Sequence, residues 1–254
     1  MIGDEASSDR YYDELADAYE LFFRDLPANM EEEGTWLDGI LRGHRVRTVL
    51  DASCGTGRHA IPLRERGYDV VAADPSREML RQADREARCR HADLPLFQAR
   101  FTDLPYLLGG PFDAVVALGN GLCNQDNLAA IQKSLLSLRQ CCRNGGVCLV
   151  GIKDFAAIRA DFIPFHGHRV IDGADRTILF EVWKVEEPVL VCTAYLLRGP
   201  GPTSTGNEQW MVRTASTREY MLPPEQFERT ALDAGFRSVR RIERAVEATF
   251  LLTG

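Results

Sequence analysis

No stretch of the 254 residues approaches the roughly 18 consecutive apolar residues of a membrane-spanning helix, so no membrane partner is expected. The opening M-I-G-D-E-A-S-S-D-R lacks the basic and then apolar regions of a secretory signal, and a cytoplasmic location is expected. C-x-x-C pairs are missing as well. The seven cysteines are odd in number, Cys141 and Cys142 are neighbours, and several lie in apolar runs where a free thiol packs as a small hydrophobe. That usage fits a reducing compartment and not a structural zinc site. His166 and His168 have no carboxylate or cysteine at a ligand spacing, so no metal is expected. Excess positive charge is also wanting, with 30 Lys and Arg against 37 Asp and Glu, a net −7. Proteins that hold nucleic acid usually present a basic face, and the dense cluster of Arg237, Arg240, Arg241 and Arg244 reads as a solvated strand and turn. A small-molecule substrate is expected, and no nucleic acid. The oligomeric state is not legible.

What is present is an alternation of apolar strands and amphipathic helices. Residues 9–26 read as a helix, with Tyr12, Leu15, Ala16, Tyr19, Phe22 and Phe23 at three-and-four spacing, ended by Leu26-Pro27. Glu31-Glu32-Glu33 opens a second helix through about Leu41, negative charge favouring its N-terminal end. Strands follow at Val46–Asp51, Tyr68–Ala73, Leu96–Phe101, Phe112–Leu118 and Val147–Ile152. Helices lie between them at Arg58–Arg66, from Ser76 to about Ala87, and at Gln125–Arg143, the last stopped by Asn144-Gly145-Gly146. Continuous apolar strands alternating with helices argue for a parallel sheet covered on both faces.

After Lys153 the rhythm changes to three strands, Arg176–Glu186, Val189–Arg198 and Glu208–Thr217, with a flexible G-P-G-P-T-S-T-G-N loop at 199–207. A helix over Pro223–Ala234 and strands at Phe236–Ile242 and Ala248–Leu252 complete the pattern. Two late strands so closely joined must run antiparallel. The expected fold is a Rossmann-like, doubly wound α/β sheet of seven strands with an antiparallel last strand. Its expected parts are a helical N-terminal cap (1–45), a ligand-binding domain (46–154 and 223–254), and a β-rich insertion (155–222) serving as a substrate lid.

The stretch Thr48–Ala60, T-V-L-D-A-S-C-G-T-G-R-H-A, puts a small-residue turn at the carboxyl end of the first strand, where doubly wound sheets bind nucleotide-like ligands. Gly55-Thr56-Gly57-Arg58-His59-Ala60 fits G-x-G-x-x-G/A, and Asp74 follows Gly55 by 19 residues, a spacing shared by dinucleotide sites and other adenosine sites. Asp51 separates the two. A carboxylate there repels a diphosphate by roughly 1–4 kcal/mol at 4 Å in a partly wet site. It suits S-adenosylmethionine, which carries ammonium and sulfonium groups and no phosphate.

V-L-D-A-S-C-G-T-G followed by V-V-A-A-D-P-S resembles the first two motifs of class I S-adenosylmethionine-dependent methyltransferases. Y-D-E-L-A-D-A-Y-E-L-F-F and N-G-G-V-C-L-V extend the resemblance over nearly the whole chain. T-W-L-D-G-I-L-R, A-L-G-N-G-L and G-I-K-D-F-A-A-I are most similar to glycine N-methyltransferases and related small-molecule N-methyltransferases. The resemblance implies that Ser53, Gly55 and Gly57 form the turn against the methionine part and ribose of the cofactor, with Asp51 beneath. It implies that Asp74 takes the ribose hydroxyls, Phe101 stacks on adenine beside Arg100, and Leu118 flanks the methyl. Arg100 stands where the family has an acidic or amide residue and can only donate, leaving Thr102, Asp103 or backbone groups to read the adenine. Tyr12 and Tyr19 close over the cofactor, and Asn120 matches a substrate-contacting asparagine, so Asn120 and Tyr19 are the candidate catalytic residues.

The chain departs from the family twice. The arginine that grips the methionine carboxylate falls on Asn29, and the one that grips an amino-acid substrate falls on Lys153, a point charge without the bidentate fork. Tyr220 leads the candidates for the substrate wall, with Trp183, Trp210 and Arg218 behind it. The reaction implied is in-line transfer of a methyl to an amine nitrogen. O- or C-methylation, cofactor binding without catalysis, and nicotinamide-dependent oxidoreduction remain as alternatives.

Overall fold

The computed structural model describes residues 8–108, 110–172, 175–201, 209–242, 244 and 247–254. Helix α1 (Ser8–Leu15) continues as a 3₁₀ stretch over Ala16–Phe22 before α2 (Leu26–Gly43). The expected helix over 9–26 is therefore broken. Its tighter second half aligns Tyr19 with Phe22, whose rings lie 5.4 Å apart. Leu26-Pro27 begins the next helix instead of ending the first. Asp25 caps α2 by accepting from the Ala28 amide at 3.0 Å, and proline is tolerated in a first turn because its absent N–H would have no intrahelical partner.

The alternating segment runs β1 (Thr48–Asp51), α3 (Ala60–Glu65), β2 (Asp69–Asp74), α4 (Arg77–Cys89), β3 (Leu96–Gln98), α5 (Leu104–Leu107), β4 (Phe112–Ala117), α6 (Leu128–Cys141) and β5 (Cys142–Ile152). Then come α7 (Phe155–Ala160), β6 (Phe165–Asp172), β7 (Asp175–Glu186), β8 (Val189–Pro200) and β9 (Met211–Tyr220), followed by α8 (Pro224–Asp233), β10 (Ser238–Ile242) and β11 (Ala248–Thr253). Seven strands form one sheet in the order β3-β2-β1-β4-β5-β11-β10, with β11 antiparallel to both neighbours. The α/β fold read from the sequence is the fold observed. Alternate residues of β1 serve opposite cores. Val49 packs with Leu37, Leu41 and Leu63 of α2 and α3, and Leu50 belongs to the other core, which holds Leu135 of α6 and Phe227 of α8.

A second, antiparallel sheet joins β6-β7-β8-β9. Leu179, Ala194, Leu196 and Ala215 on one of its faces pack on Tyr11 and Leu15 of α1. Strand β6 and helix α7 were not expected from the sequence, because β6 is a largely exposed edge and shows little apolar alternation. Strand β9 runs to Tyr220, three residues beyond its expected end. Of the loop at 199–207, residues 202–207 lie outside the described residues.

Strand β5 also starts earlier than its expected first residue, Val147. Its pairing jumps from Phe112↔Cys142 to Ala114↔Val147, so Asn144-Gly145-Gly146 forms a bulge inside the strand. Two of the clustered arginines are taken by acids: Arg241 donates to Asp154 at 2.9 Å and Arg244 to Glu33 at 2.8 Å. Among the described residues no helix is long and apolar enough to cross a membrane.

Gly57 makes the packing of the β1–α3 turn testable. Its φ is +86°, and a Cβ there would meet Ile61 Cδ1 at 2.7 Å. Gly57→Ala is expected to lower unfolding stability by about 1–3 kcal/mol. Gly39→Ala, on the exposed face of α2 with nothing within 4 Å, is expected to raise it by up to about 1 kcal/mol. Urea denaturation of both variants reads the contrast; equal midpoints would refute it.

Candidate active site

The carboxyl ends of β1 to β4 open into a cavity of about 1450 Å³. Its floor is the turn at residues 52–56 together with Asp74, Arg100, Phe101, Leu118 and Gly119. Tyr12 and Tyr19 of the N-terminal segment and one face of β8 and β9, including Thr193, Ser216 and Tyr220, form the opposite wall.

The turn leaves β1 through bonds that tie it to both neighbouring strands. The Ala52 amide donates to the Val116 carbonyl at 2.8 Å and the Cys54 amide to the Ala73 carbonyl at 3.0 Å. Asp51 beneath it is fully buried, and neither carboxylate oxygen has a hydrogen bond of ordinary geometry, although the Ser53 and Ala60 amides are near enough to oppose its protonation. Burial pushes its carboxyl up to about 7, with Asp74 adding like charge. Asp74 is held up at about 6, chiefly by burial, against the pull of two backbone amides. Those amides are Gly55 N–H to Oδ2 at 2.8 Å and Ser76 N–H to Oδ1 at 2.9 Å. Asp74 thus anchors the turn while lining the cavity, and its oxygens keep lone pairs for a ligand.

The N-terminal segment is fastened over the cavity at three points. Tyr11 donates to Glu181 of β7 at 2.5 Å, Asp13 accepts from the Ser76 hydroxyl at 2.6 Å, and Asp9 pairs with Arg100. Asn124 donates to the Tyr12 hydroxyl at 3.1 Å, and the Tyr12 and Tyr19 rings lie 6.2 Å apart. Burial raises both phenols above their ordinary range, so they stand as neutral groups.

Of the residues singled out from sequence, the structure gathers Tyr12, Tyr19, Ser53, Gly55, Asp74, Arg100, Phe101, Leu118 and Tyr220 around the cavity, with Asp51 under its floor. The Ser53 hydroxyl is enclosed without a partner among the described residues, close against Gly121, where a Cβ would lie 3.0 Å from Ser53 Oγ. Gly57 lies outside the lining and serves the packing of α3. Asn29 is also outside; its Oδ1 accepts from Arg58 Nη1 at 3.3 Å. Asn120 is buried and off the wall. Its left-handed backbone, φ 69°, returns the side chain so that Oδ1 accepts from the Lys153 amide at 2.9 Å, and Nδ2 is left enclosed without a partner among the described residues.

Lys153 is not free to grip a carboxylate. Its Nζ lies 2.7 Å from both oxygens of Glu219 and 4.7 Å from the Trp183 ring centre, and it is not part of the cavity wall. Burial pulls the lysine down, but its acidic neighbours, Glu219 foremost, outweigh it and hold the lysine above its ordinary value. Against burial, the hydrogen bond from His168, the charge of Lys153 and the hydrogen bond from Tyr11 hold Glu181 down at about 2. Trp210 is 42 % exposed and packs on Gly199, away from the cavity, whereas Arg218 lines it. Sequence reading missed Arg58, Asn124 and the acids Glu181 and Glu219. The signal available for Glu181 was a glutamate inside the apolar run of β7; Glu219 lies on the largely polar β9, where only the alternation of inward positions marks it.

The family described as a methyltransferase domain matches residues 49–146. Glycine N-methyltransferase of Oryctolagus cuniculus is 32 % identical over 191 residues, which span 69 % of this chain and 64 % of that enzyme. Glycine N-methyltransferase of Rattus norvegicus is 31 % identical over 223 residues, 81 % of this chain and 75 % of that one. Among solved structures, the sugar N-methyltransferase KedS8 from Streptoalloteichus sp. superposes with a TM-score of 0.75 at 20 % identity, covering 100 % of this chain and 95 % of that one, a likeness of fold. On sequence and fold together, the chain belongs to the class I S-adenosylmethionine-dependent methyltransferases.

Proposed function

We propose that the protein transfers a methyl group from S-adenosylmethionine to an amine nitrogen of a small, hydroxylated molecule. The observation that carries the donor is Asp51, a buried carboxylate with no cation bonded to it among the described residues, beneath a turn whose wall also holds Asp74. That floor fits a ligand bearing positive charge and ribose hydroxyls, and it opposes a diphosphate. In the reaction the donor supplies a sulfonium methyl, the amine lone pair takes it, the thioether leaves with the bonding pair, and the acceptor nitrogen sheds a proton to water. On this reading Asp51, Ser53, Gly55, Asp74, Arg100, Phe101 and Leu118 hold the donor. Tyr12 and Tyr19 exclude water, and residues 155–222 act as the lid that shapes the acceptor site. The chain's contribution is positioning and enclosure.

The acceptor follows from the opposite wall. An acid-bearing amine such as glycine would need a cation on the β8–β9 side of the cavity, where Arg218 is paired with Glu186, and Lys153 behind that wall is occupied by Glu219. Thr193, Thr214 and Ser216 instead present hydroxyls to the cavity, two of them 2.9 Å apart. They suit a polyhydroxylated amine. KedS8, a sugar N-methyltransferase of the same fold, supports that choice, and the glycine N-methyltransferases among the sequence relatives support nitrogen as the atom methylated.

Turnover is expected with amino sugars in a panel that includes glycine, sarcosine, phenols and simple amines. Turnover with glycine alone, or with phenols alone, would refute the acceptor reading. Thr193→Val is expected to raise KM for the accepted amino sugar by about 2- to 10-fold, the loss of one neutral hydrogen bond. Calorimetric titration is expected to show binding of S-adenosylhomocysteine and none of NAD.

The raised carboxyls also set a pH dependence. Asp51 at about 7 and Asp74 at about 6 sit above an unfolded value of about 3.9. Their bound protons therefore favour the ligand-free fold at low pH, a contribution lost as the pH rises through about 6 to 7. The cationic donor prefers them ionised, so its affinity is expected to fall as the pH drops from 8 to 5, with proton release on binding near neutrality. Asp51→Asn is expected to remove the step near pH 7. An affinity flat across that range would contradict the assignment.

A further inference from the structure

Arg58 stands in the turn that holds Ser53 and Gly55 and lines the same cavity. Its side chain is 17 % exposed, and the guanidinium lies 5.3 Å over the Phe23 ring. Only Nη1 is engaged, by Asn29 Oδ1 at 3.3 Å and Glu33 Oε1 at 3.2 Å. Both are long for charge-assisted bonds. Glu33 itself is already clasped by Arg244, with contacts of 2.8 and 3.1 Å. Nε and Nη2 of Arg58 make no hydrogen bond among the described residues, and a Cβ on Gly119 would lie 3.3 Å from Nη2. A largely covered guanidinium with open donors is a fork awaiting a planar acid.

The other arginines and the lysine of the wall are placed differently. Arg100 is tied to Asp9, and Lys184 and Arg218 to Glu186, all on exposed rims; Arg10 belongs to α1 and pairs with Glu14. Arg58 alone of these rises from the donor's own turn and reaches the end of β4. Resting on the methyl-donor reading above, we infer that Arg58 binds the carboxylate of the donor's methionine portion, in the place where this chain has the neutral Asn29. Asn29 then acts as a positioning residue. Its amide oxygen orients the fork, and its lack of charge lets a guanidinium stand beside it.

The test uses the full chain and two ligands in the absence of any acceptor: S-adenosylhomocysteine and its decarboxylated analogue, which keeps the amine and the adenosine. Arg58→Met is expected to weaken S-adenosylhomocysteine by about 10- to 100-fold and to change the analogue by less than about 3-fold. Arg58→Lys, which keeps charge but not the fork, is expected to fall between, and it serves as the readout if the Met variant unfolds. Equal losses for both ligands, or no loss for either, would overturn the inference. So would normal S-adenosylhomocysteine binding combined with a raised KM for an acidic acceptor, which would move the carboxylate to the substrate. If the unaltered protein binds neither ligand, the donor reading itself fails and this one with it.

Discussion

A carboxylate sealed at the carboxyl end of the first strand is the constraint on which the rest of the site depends. Asp51 has no exposure and no hydrogen bond of ordinary geometry. In isolation such a group is expensive to keep ionised, and burial accordingly raises its proton affinity. A second acid, Asp74, adds like charge on the adjoining strand. Two crowded carboxylates side by side are tolerable in a fold only if a proton or a cation relieves them. Among the described residues no arginine or lysine forms an ion pair with either, although the charge of Arg58 and two backbone amides act on Asp51 and oppose its protonation. The floor of the cavity thus gathers two buried acids through the backbone geometry of a doubly wound sheet.

The cavity over those acids is walled from outside the sheet. Helix α1 is held between the two sheets by side chains that run in opposite directions. Tyr11 reaches the buried Glu181 of β7, and Asp13 reaches the N-terminal cap of α4. Glu181 is itself fixed by His168 and Trp183, each at 3.1 Å. The consequence is that the antiparallel sheet, α1 and the segment following β2 share one hydrogen-bonded frame. Tyr12 and Tyr19 are carried on that frame, neutral and apolar-bodied, over the charged floor.

The sheet and its ligand edge were legible because they rest on local signals. Apolar runs of five or six residues, glycines closing the turns after helices, and a carboxylate ending an apolar strand are all contiguous in sequence. What was not legible depends on partners far apart in the chain. Asn120 looked like a substrate contact until the left-handed backbone at its position turned its amide onto Lys153, 33 residues away. Lys153 looked like a free cation because Glu219 is 66 residues distant. Strand β6 escaped because an exposed edge has little reason to alternate. Leu26-Pro27 was misassigned for a different reason: a proline marks a helix start as readily as a stop, and only Asp25 as a cap tells the two apart.

The pairing of Lys153 with Glu219 explains why the donor is easier to read than the acceptor. A donor with permanent positive charge has to be met by permanent negative charge, and charge of one sign leaves a trace in the sequence. A neutral amine acceptor makes no such demand. Its nucleophile needs no strong base, since the leaving thioether requires no acid and the new ammonium sheds its proton afterwards. The acids of β7 and β9 serve structure. Glu181 takes Tyr11, His168 and Trp183, and Glu219 takes Lys153, so that neither is left as a free base. The hydroxyl residues of β8 and β9 are so common on strands that only their place on the cavity wall sets them apart.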